Sequence, residues 1–189
     1  MDRKSHREKT QISHEGSYVI ARIYKPRPDC QIKPDMTTEI SERRVALTAA
    51  IQAETGIDEA MIEKLVRAFY LRVQADPMLG PVFAARIKDW EPHLQQMFAF
   101  WSSVALMTGR YHGQPMRKHL PLPVDGRHFD RWLALFEATA REVCPPKAAE
   151  HFLERARRIA ESLELGIASM DGVMLAKGER LHRPKLDVT

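Results

Sequence analysis

Apolar side chains recur with a helical period along most of the chain, from Thr37 onward. The pattern is strongest over residues 58–75, where the apolar positions are spaced by three or four residues and form one stripe. Asp58 is a suitable N-cap for this helix, and the Asp76-Pro77 pair ends it. The stripe consists of Ile62, Leu65, Val66, Phe69, Tyr70 and Val73.

The same kind of pattern predicts the other elements. No strand-like alternation occurs within residues 38–169, so we expect an all-α domain. A connector at 77–87 contains two prolines and a glycine, and we expect it to be partly helical and to bring Phe83 towards the core. Further helices are predicted at 38–54, with a weaker period, and at 88–108, 116–120, 127–143 and 147–169.

The two ends of the chain lack this periodicity. Residues 1–36 are predicted to form an irregular extension, since Pro26, Pro28 and Pro34 do not suit a helix interior. Met36 is a plausible alternative start of the protein. At the other end, the segment 177–189 is expected to be frayed. We therefore predict a domain over 37–170, between an N-terminal extension over 1–36 and a C-terminal tail over 171–189.

Composition indicates a single globular domain that stays in the cytoplasm. The chain has 189 residues, of which 44% are hydrophobic and 29% charged. No apolar stretch approaches the ~20 residues of a membrane span, and the polar N-terminus has no apolar signal core. The two cysteines, Cys30 and Cys144, lack the spacing of a disulfide or zinc motif and fit a reducing compartment.

The positive charge is concentrated at the ends of the chain. The formal net charge is +4, yet residues 36–176 are almost balanced between acidic and basic side chains. A nucleic-acid-binding face should also appear in the folded body. We therefore do not expect a nucleic-acid partner.

The residues that could carry chemistry are histidines and aromatic side chains on helices. The sequence has no GxGxxG, P-loop, GxSxG or HExxH motif. Taken singly, His93, His119, Tyr70 and Trp132 are each typical of an ordinary core or boundary residue. Together they could converge on one apolar pocket. Such a set suits a flat, iron-containing ligand, which needs a neutral imidazole on iron and polar hydrogens opposite to hold a diatomic molecule.

Residues 58–166 resemble the truncated haemoglobins, and specifically group III of these bacterial globins. The absence of Gly-Gly pairs after the first helix and before the KHL segment agrees with that group. The resemblance implies a shortened globin fold, a two-over-two helical sandwich around haem. The motifs that carry it are FY at 69–70, DPMLGPVF at 76–83, WEPH at 90–93, FW at 100–101, YHGQPMRKHLPLP at 111–123 and FDRWLALF at 129–136.

The resemblance also implies roles for individual residues. It makes His119 the ligand of the haem iron, and it makes Tyr70 and Trp132 the pair that hydrogen-bonds O2, NO or CO on the opposite side. It places His93 at a gate position, where this residue could line the pocket, move as a gate or ligate iron. The remaining haem contacts that it implies are Phe83, Met97 and Trp101, together with Trp132. Arg110, Arg117 and Lys118 could meet the haem propionates or be solvated surface charges.

Other functions fit the same sequence. The pocket could support an NO dioxygenase or a peroxidase-like enzyme, which would require a separate reductase because the chain has no flavin or NAD motif. A cofactor-free helical interaction domain would explain the amphipathic helices equally well, but it would leave the His119, Tyr70 and Trp132 set as a coincidence.

Overall fold

The computed structural model describes residues 34–183, with side chains from residue 38 onward, and every regular element in that part of the chain is a helix. The all-α prediction is therefore confirmed. Two compact units divide the chain, Met1–Glu39 and Ile40–Thr189, and the helix packing and the cavity described below belong to the second. The helices are α1 (Pro34–Thr55), α2 (Glu59–Ala75), α3 (Leu79–Ala84), α4 (Trp90–Ala105), α5 (Pro115–His119), α6 (Gly126–Val143) and α7 (Pro146–Met170).

Helices α2, α4, α6 and α7 form the two-over-two sandwich. Helix α2 packs against α4 and α6, while α7 packs against α6 and α4. The short helix α3 contacts α2 and α6, and α5 contacts α7. None of the helices in residues 34–183 is long and apolar enough to cross a membrane.

Aromatic rings fill the centre of the sandwich. Phe136 of α6 stacks between Trp101 of α4 and Trp132 of α6, with ring centroids 4.8 and 5.3 Å apart. Phe69 of α2 meets Phe136 and Trp132 edge-on. These contacts join three of the four main helices, so the position of Trp132 is fixed by the core itself.

Helix ends follow local side-chain chemistry. Asp58 accepts a hydrogen bond from the Met61 N–H at 2.7 Å and starts α2 where the sequence predicts. Helix α4 ends three residues before the predicted 108, because Met107 and Gly109 adopt positive φ angles of 60° and 71°. Pro34 is the first residue of α1, where the missing N–H costs nothing, so residues 34–36 of the predicted extension are helical. The rest of that extension lies outside the described residues.

The prediction of a frayed C-terminal end was wrong for residues 177–183. Residues 175–183, here called the C-terminal strap, fold back across the start of α6. The Leu181 side chain is only 2% exposed and packs with Val124 and Phe129 among other apolar residues. The Gly126 N–H donates to the Leu181 carbonyl at 2.8 Å. Residues 184–189 of the predicted tail lie outside the described part of the chain.

Candidate functional site

A cavity of about 1100 Å³ opens between the helices of the sandwich. Ligand pockets in proteins usually measure ~300–1,000 Å³, so this cavity has room for a large flat molecule. Its wall brings together all of the residues that the sequence singles out as candidates. These are Tyr70, Phe83, His93, Met97, Trp101, His119 and Trp132.

His119 stands at the end of α5, a five-residue helix that begins with Pro115. Its Nδ1 atom lies 2.8 Å from the Pro115 carbonyl oxygen. Because a carbonyl can only accept a hydrogen bond, Nδ1 must carry the proton and donate it. The neutral ring then keeps its lone pair on Nε2, which is the arrangement that metal-ligating histidines adopt.

Two hydrogen-bond donors on the cavity wall have no partner among residues 38–183. Tyr70 is 5% exposed, and burial raises the pKa of its hydroxyl well above the usual value, so the group stays protonated. Within residues 38–183, neither the Tyr70 hydroxyl nor the Trp132 indole N–H forms a hydrogen bond. A tyrosine hydroxyl or an indole N–H that lies against apolar surroundings normally finds a partner. Both groups are therefore available to something that occupies the cavity.

His93 adds a third unpaired polar group to the same wall. Its Nε2 atom is buried and has no hydrogen-bond partner among the described residues. The ring meets Tyr70 edge-on, with centroids 5.1 Å apart, and Trp90 packs behind both. Burial is the main cause that lowers the pKa of His93, and the electrostatic interaction with the His119 ring acts in the same direction. His93 is consequently neutral at pH 7.

The mouth of the cavity is basic. Among the residues that line it, five carry a positive charge and only Asp89 a carboxylate. Arg110 pairs with Glu59 at 3.0 Å, whereas Lys88 and Lys118 have no ionic partner within the described chain. The five cationic residues are Arg86, Lys88, Arg110, Arg117 and Lys118.

Several residues that line the cavity could not be identified as site residues from the sequence. Ile159 and Leu163 of α7 line the cavity, although their spacing only marks them as apolar positions of an amphipathic helix. Periodicity alone does not distinguish a position that packs in the core from one that faces a cavity. Tyr111 also lines the wall, where it packs edge-on against Phe100 at 5.2 Å. It belongs to the YHGQPMRKHLPLP motif at 111–123, which carries the family resemblance but does not itself indicate a contact with a ligand.

Comparisons with known proteins agree with this architecture. The family model of the bacterial-like globins matches residues 53–164. The group 3 truncated hemoglobin ctb of Campylobacter jejuni is 35% identical over 113 residues, covering 57% of this chain and 89% of that protein. The group 2 truncated hemoglobin YjbI of Bacillus subtilis is 30% identical over 81 residues, covering 42% and 61% of the two chains.

Solved structures give the same result. The crystal structure of group III truncated hemoglobin from C. jejuni superposes with a TM-score of 0.55 at 32% identity, covering 62% of this chain and 92% of that one. The structure of a truncated oxygen-avid haemoglobin from B. subtilis gives 0.50 at 25% identity, with coverage of 57% and 94%. The resemblance to group III inferred from the motifs is confirmed, and the chain belongs to the bacterial-like globin family.

Proposed function

We propose that this globin binds haem through His119 and holds O2, or another diatomic ligand such as NO or CO, beside Tyr70 and Trp132. Membership of a globin family implies haem as the cofactor. The assignment of His119 as the residue that binds iron rests on the hydrogen bond from its Nδ1 atom to the Pro115 carbonyl. This hydrogen bond leaves Nε2 as the unprotonated nitrogen, which iron requires.

The cavity fits haem on independent grounds. Its volume, its largely aromatic and aliphatic wall and its basic mouth match a flat apolar ring that carries two carboxylates. The buried His93 Nε2 atom has no partner within the described protein, so it is a polar group that gains from an occupant. Arg117 and Lys118, next to His119, are the cations that we assign to the propionates.

Haem supplies an iron atom that binds diatomic molecules. The chain supplies the surroundings of that ligand. The Tyr70 hydroxyl and the Trp132 N–H would donate hydrogen bonds to it, and the apolar wall would exclude water from it. Hydrogen bonds to a group that carries negative charge contribute roughly 1.5–3 kcal/mol each, so two of them should slow the release of O2 strongly. A B. subtilis haemoglobin similar to this chain is described as oxygen-avid, which supports O2 as one ligand.

A spectroscopic titration tests this proposal. Purified protein is titrated with haem, and absorption spectra are taken in the ferric state, after reduction and after addition of CO. We expect uptake of one haem, a CO-dependent shift, and loss of this spectrum in His119→Gly. The matched control is His112→Gly, an exposed histidine at the mouth of the same cavity. A protein that takes up no haem would instead be a cofactor-free helical module. A variant spectrum identical to wild type would remove His119 as the ligand.

The basic mouth favours a second candidate function, an NO dioxygenase or a peroxidase-like enzyme served by a separate reductase. The five cations and one carboxylate at the mouth leave more positive charge than two haem propionates would neutralise. A surface with this excess of positive charge attracts an acidic electron donor. The discriminating assay supplies the haem protein with O2, NO and an electron source and follows nitrate. Nitrate beyond one equivalent per haem would establish turnover. A single stoichiometric burst would restrict the chain to ligand binding.

A further inference from the structure

The loop that follows His119 is tied to the C-terminal strap. The Leu122 N–H donates to the His119 carbonyl at 2.9 Å, and the Leu122 carbonyl accepts a hydrogen bond from Arg183 Nη1 at 2.8 Å. The Arg183 guanidinium also binds the Asp171 carboxylate at the end of α7. A chain of hydrogen bonds therefore runs from Asp171 through Arg183 and Leu122 to the residue that we assign to iron.

The strap itself is firmly seated on the domain. The Leu181 N–H donates to Glu164 Oε1 at 2.7 Å, and Arg180 binds the same carboxylate at 2.9 Å. Glu164 is only 5% exposed, so breaking either contact would leave a buried carboxylate without a partner, which is costly. A Cβ atom on Gly126 would lie 3.1 Å from the Leu181 carbonyl oxygen, which shows how closely the strap approaches the start of α6.

Helix α5 has little stability of its own. It spans five residues, Pro115–His119, far fewer than an isolated helix needs to form in water. Among the main helices it packs against α7, where Met116 lies over Gly166. The position of His119 therefore depends on this packing and on the hydrogen bonds that reach its flanking loop from outside. These come from Arg183 on the strap and from Arg86, whose Nη2 donates to the Pro121 carbonyl at 3.1 Å.

We propose that Arg183 is a positioning residue, which fixes the loop after His119 and so sets how strongly His119 ligates the haem iron. The proposal rests on the proposed function, because it assumes that His119 holds iron. Arg183 lies outside residues 53–164, which match the globin family model. The strap therefore adds contacts on the His119 side of the cavity that the family match does not include.

Two measurements on Arg183→Ala test the proposal. In the haem-free protein, we expect amide exchange of the Leu122 N–H to accelerate about tenfold, because the loop loses a charged hydrogen-bond donor. In the reduced haem protein, we expect the iron–histidine stretching band in the resonance Raman spectrum to shift or broaden. The matched control is Arg158→Ala, which removes an exposed α7 arginine that pairs with Glu154 and does not reach the loop.

A second variant covers the case in which Arg183→Ala does not fold. Asp171→Asn removes the carboxylate that orients the guanidinium and leaves Arg183 in place, so it should change both signals in the same direction. If either folded variant keeps the wild-type Raman band and the wild-type exchange rate, the proposal is overturned. The same holds if Arg158→Ala changes both signals as much. Failure of the proposed function is a separate result, since wild-type protein would then take up no haem.

Discussion

Replacing Tyr70 by Phe removes one hydroxyl from the cavity wall and leaves the ring in its packing. The ring is 5% exposed and contacts Phe69, Phe83 and His93 at centroid distances between 5.1 and 5.8 Å. The hydroxyl forms no hydrogen bond with residues 38–183. Its loss should therefore change the unfolding free energy of the haem-free protein by less than about 1 kcal/mol.

The effect on a bound ligand should be much larger. If the hydroxyl donates to O2 as proposed, its removal costs a charge-assisted hydrogen bond of roughly 1.5–3 kcal/mol. Because about 1.4 kcal/mol corresponds to a factor of ten, release of O2 should accelerate about ten- to hundredfold. The contrast between unchanged stability and faster release separates a ligand-binding role from a packing role.

The assay is stopped-flow displacement of O2 by CO from the reduced, haem-loaded protein. Tyr111→Phe is the matched control, since Tyr111 lines the same cavity and packs on Phe100. Release from this control should remain within about twofold of wild type, by the same conversion of energy into rate. The reasoning is refuted if Tyr70→Phe releases O2 at the wild-type rate, or if both variants accelerate release equally.

Three further predictions follow from other buried groups. Since burial is the main cause that lowers the pKa of His93, NMR titration of the folded protein should place that pKa below 6.5, the value of an ordinary histidine. Between the folded and the unfolded pKa the unfolded chain binds more protons, so stability should decrease as the pH falls, and His93→Gln should flatten this dependence. A Cβ on Gly166 would lie 2.4 Å from Met116 Sδ, the far end of a flexible side chain that can move aside, and alanine is favoured over glycine inside α7 by about 1 kcal/mol. Gly166→Ala should therefore leave the unfolding free energy within about 1 kcal/mol of wild type in urea denaturation, and a loss of about 3 kcal/mol would show that Met116 cannot move. Burial raises the pKa of the Cys144 thiol to about 11, so this thiol should react slowly in the folded protein. In a Cys30→Ser background, iodoacetamide at pH 8 should label the folded protein far more slowly than the urea-unfolded protein, and equal labelling rates would contradict the burial of Cys144.

The sequence predicts the helices well because their signals are local. The apolar stripe over residues 58–75, its Asp58 cap and its Asp76-Pro77 stop require only neighbours along the chain, and the structure places α2 there. Helix α1 is weakly periodic for a physical reason, since Ile40, Val45 and Leu47 are exposed to solvent in the second unit. Six of the seven candidate site residues lie in the quoted motifs, Met97 being the exception, and all seven line one cavity.

The C-terminal strap illustrates what the sequence conceals. Arg180 and Arg183 look like solvated charges when the chain is read linearly, because their partners are remote. Arg180 meets Glu164 and Gly126, which lie 16 and 54 positions away, and Arg183 meets Leu122, 61 positions away. Every residue has a main-chain carbonyl, so the sequence does not indicate that the Leu122 carbonyl accepts a hydrogen bond from Arg183. The order of this segment therefore depends on tertiary contacts, which composition does not encode.

The Pro115 carbonyl, which accepts the hydrogen bond from His119 Nδ1, would affect how strongly the imidazole donates electrons to a bound iron. A carboxylate in place of the Pro115 carbonyl would draw the Nδ1 proton towards itself and make the imidazole a richer electron donor. The neutral amide oxygen leaves it a modest donor, whereas electron-rich axial ligands such as a thiolate promote O–O bond cleavage. We expect a haem held by His119 to favour reversible ligand binding over peroxide cleavage. Since that acceptor is a backbone atom, no replacement of a side chain at 115 deletes it, so in the proposed haem protein the geometry of helix α5 would preserve the redox character of the site.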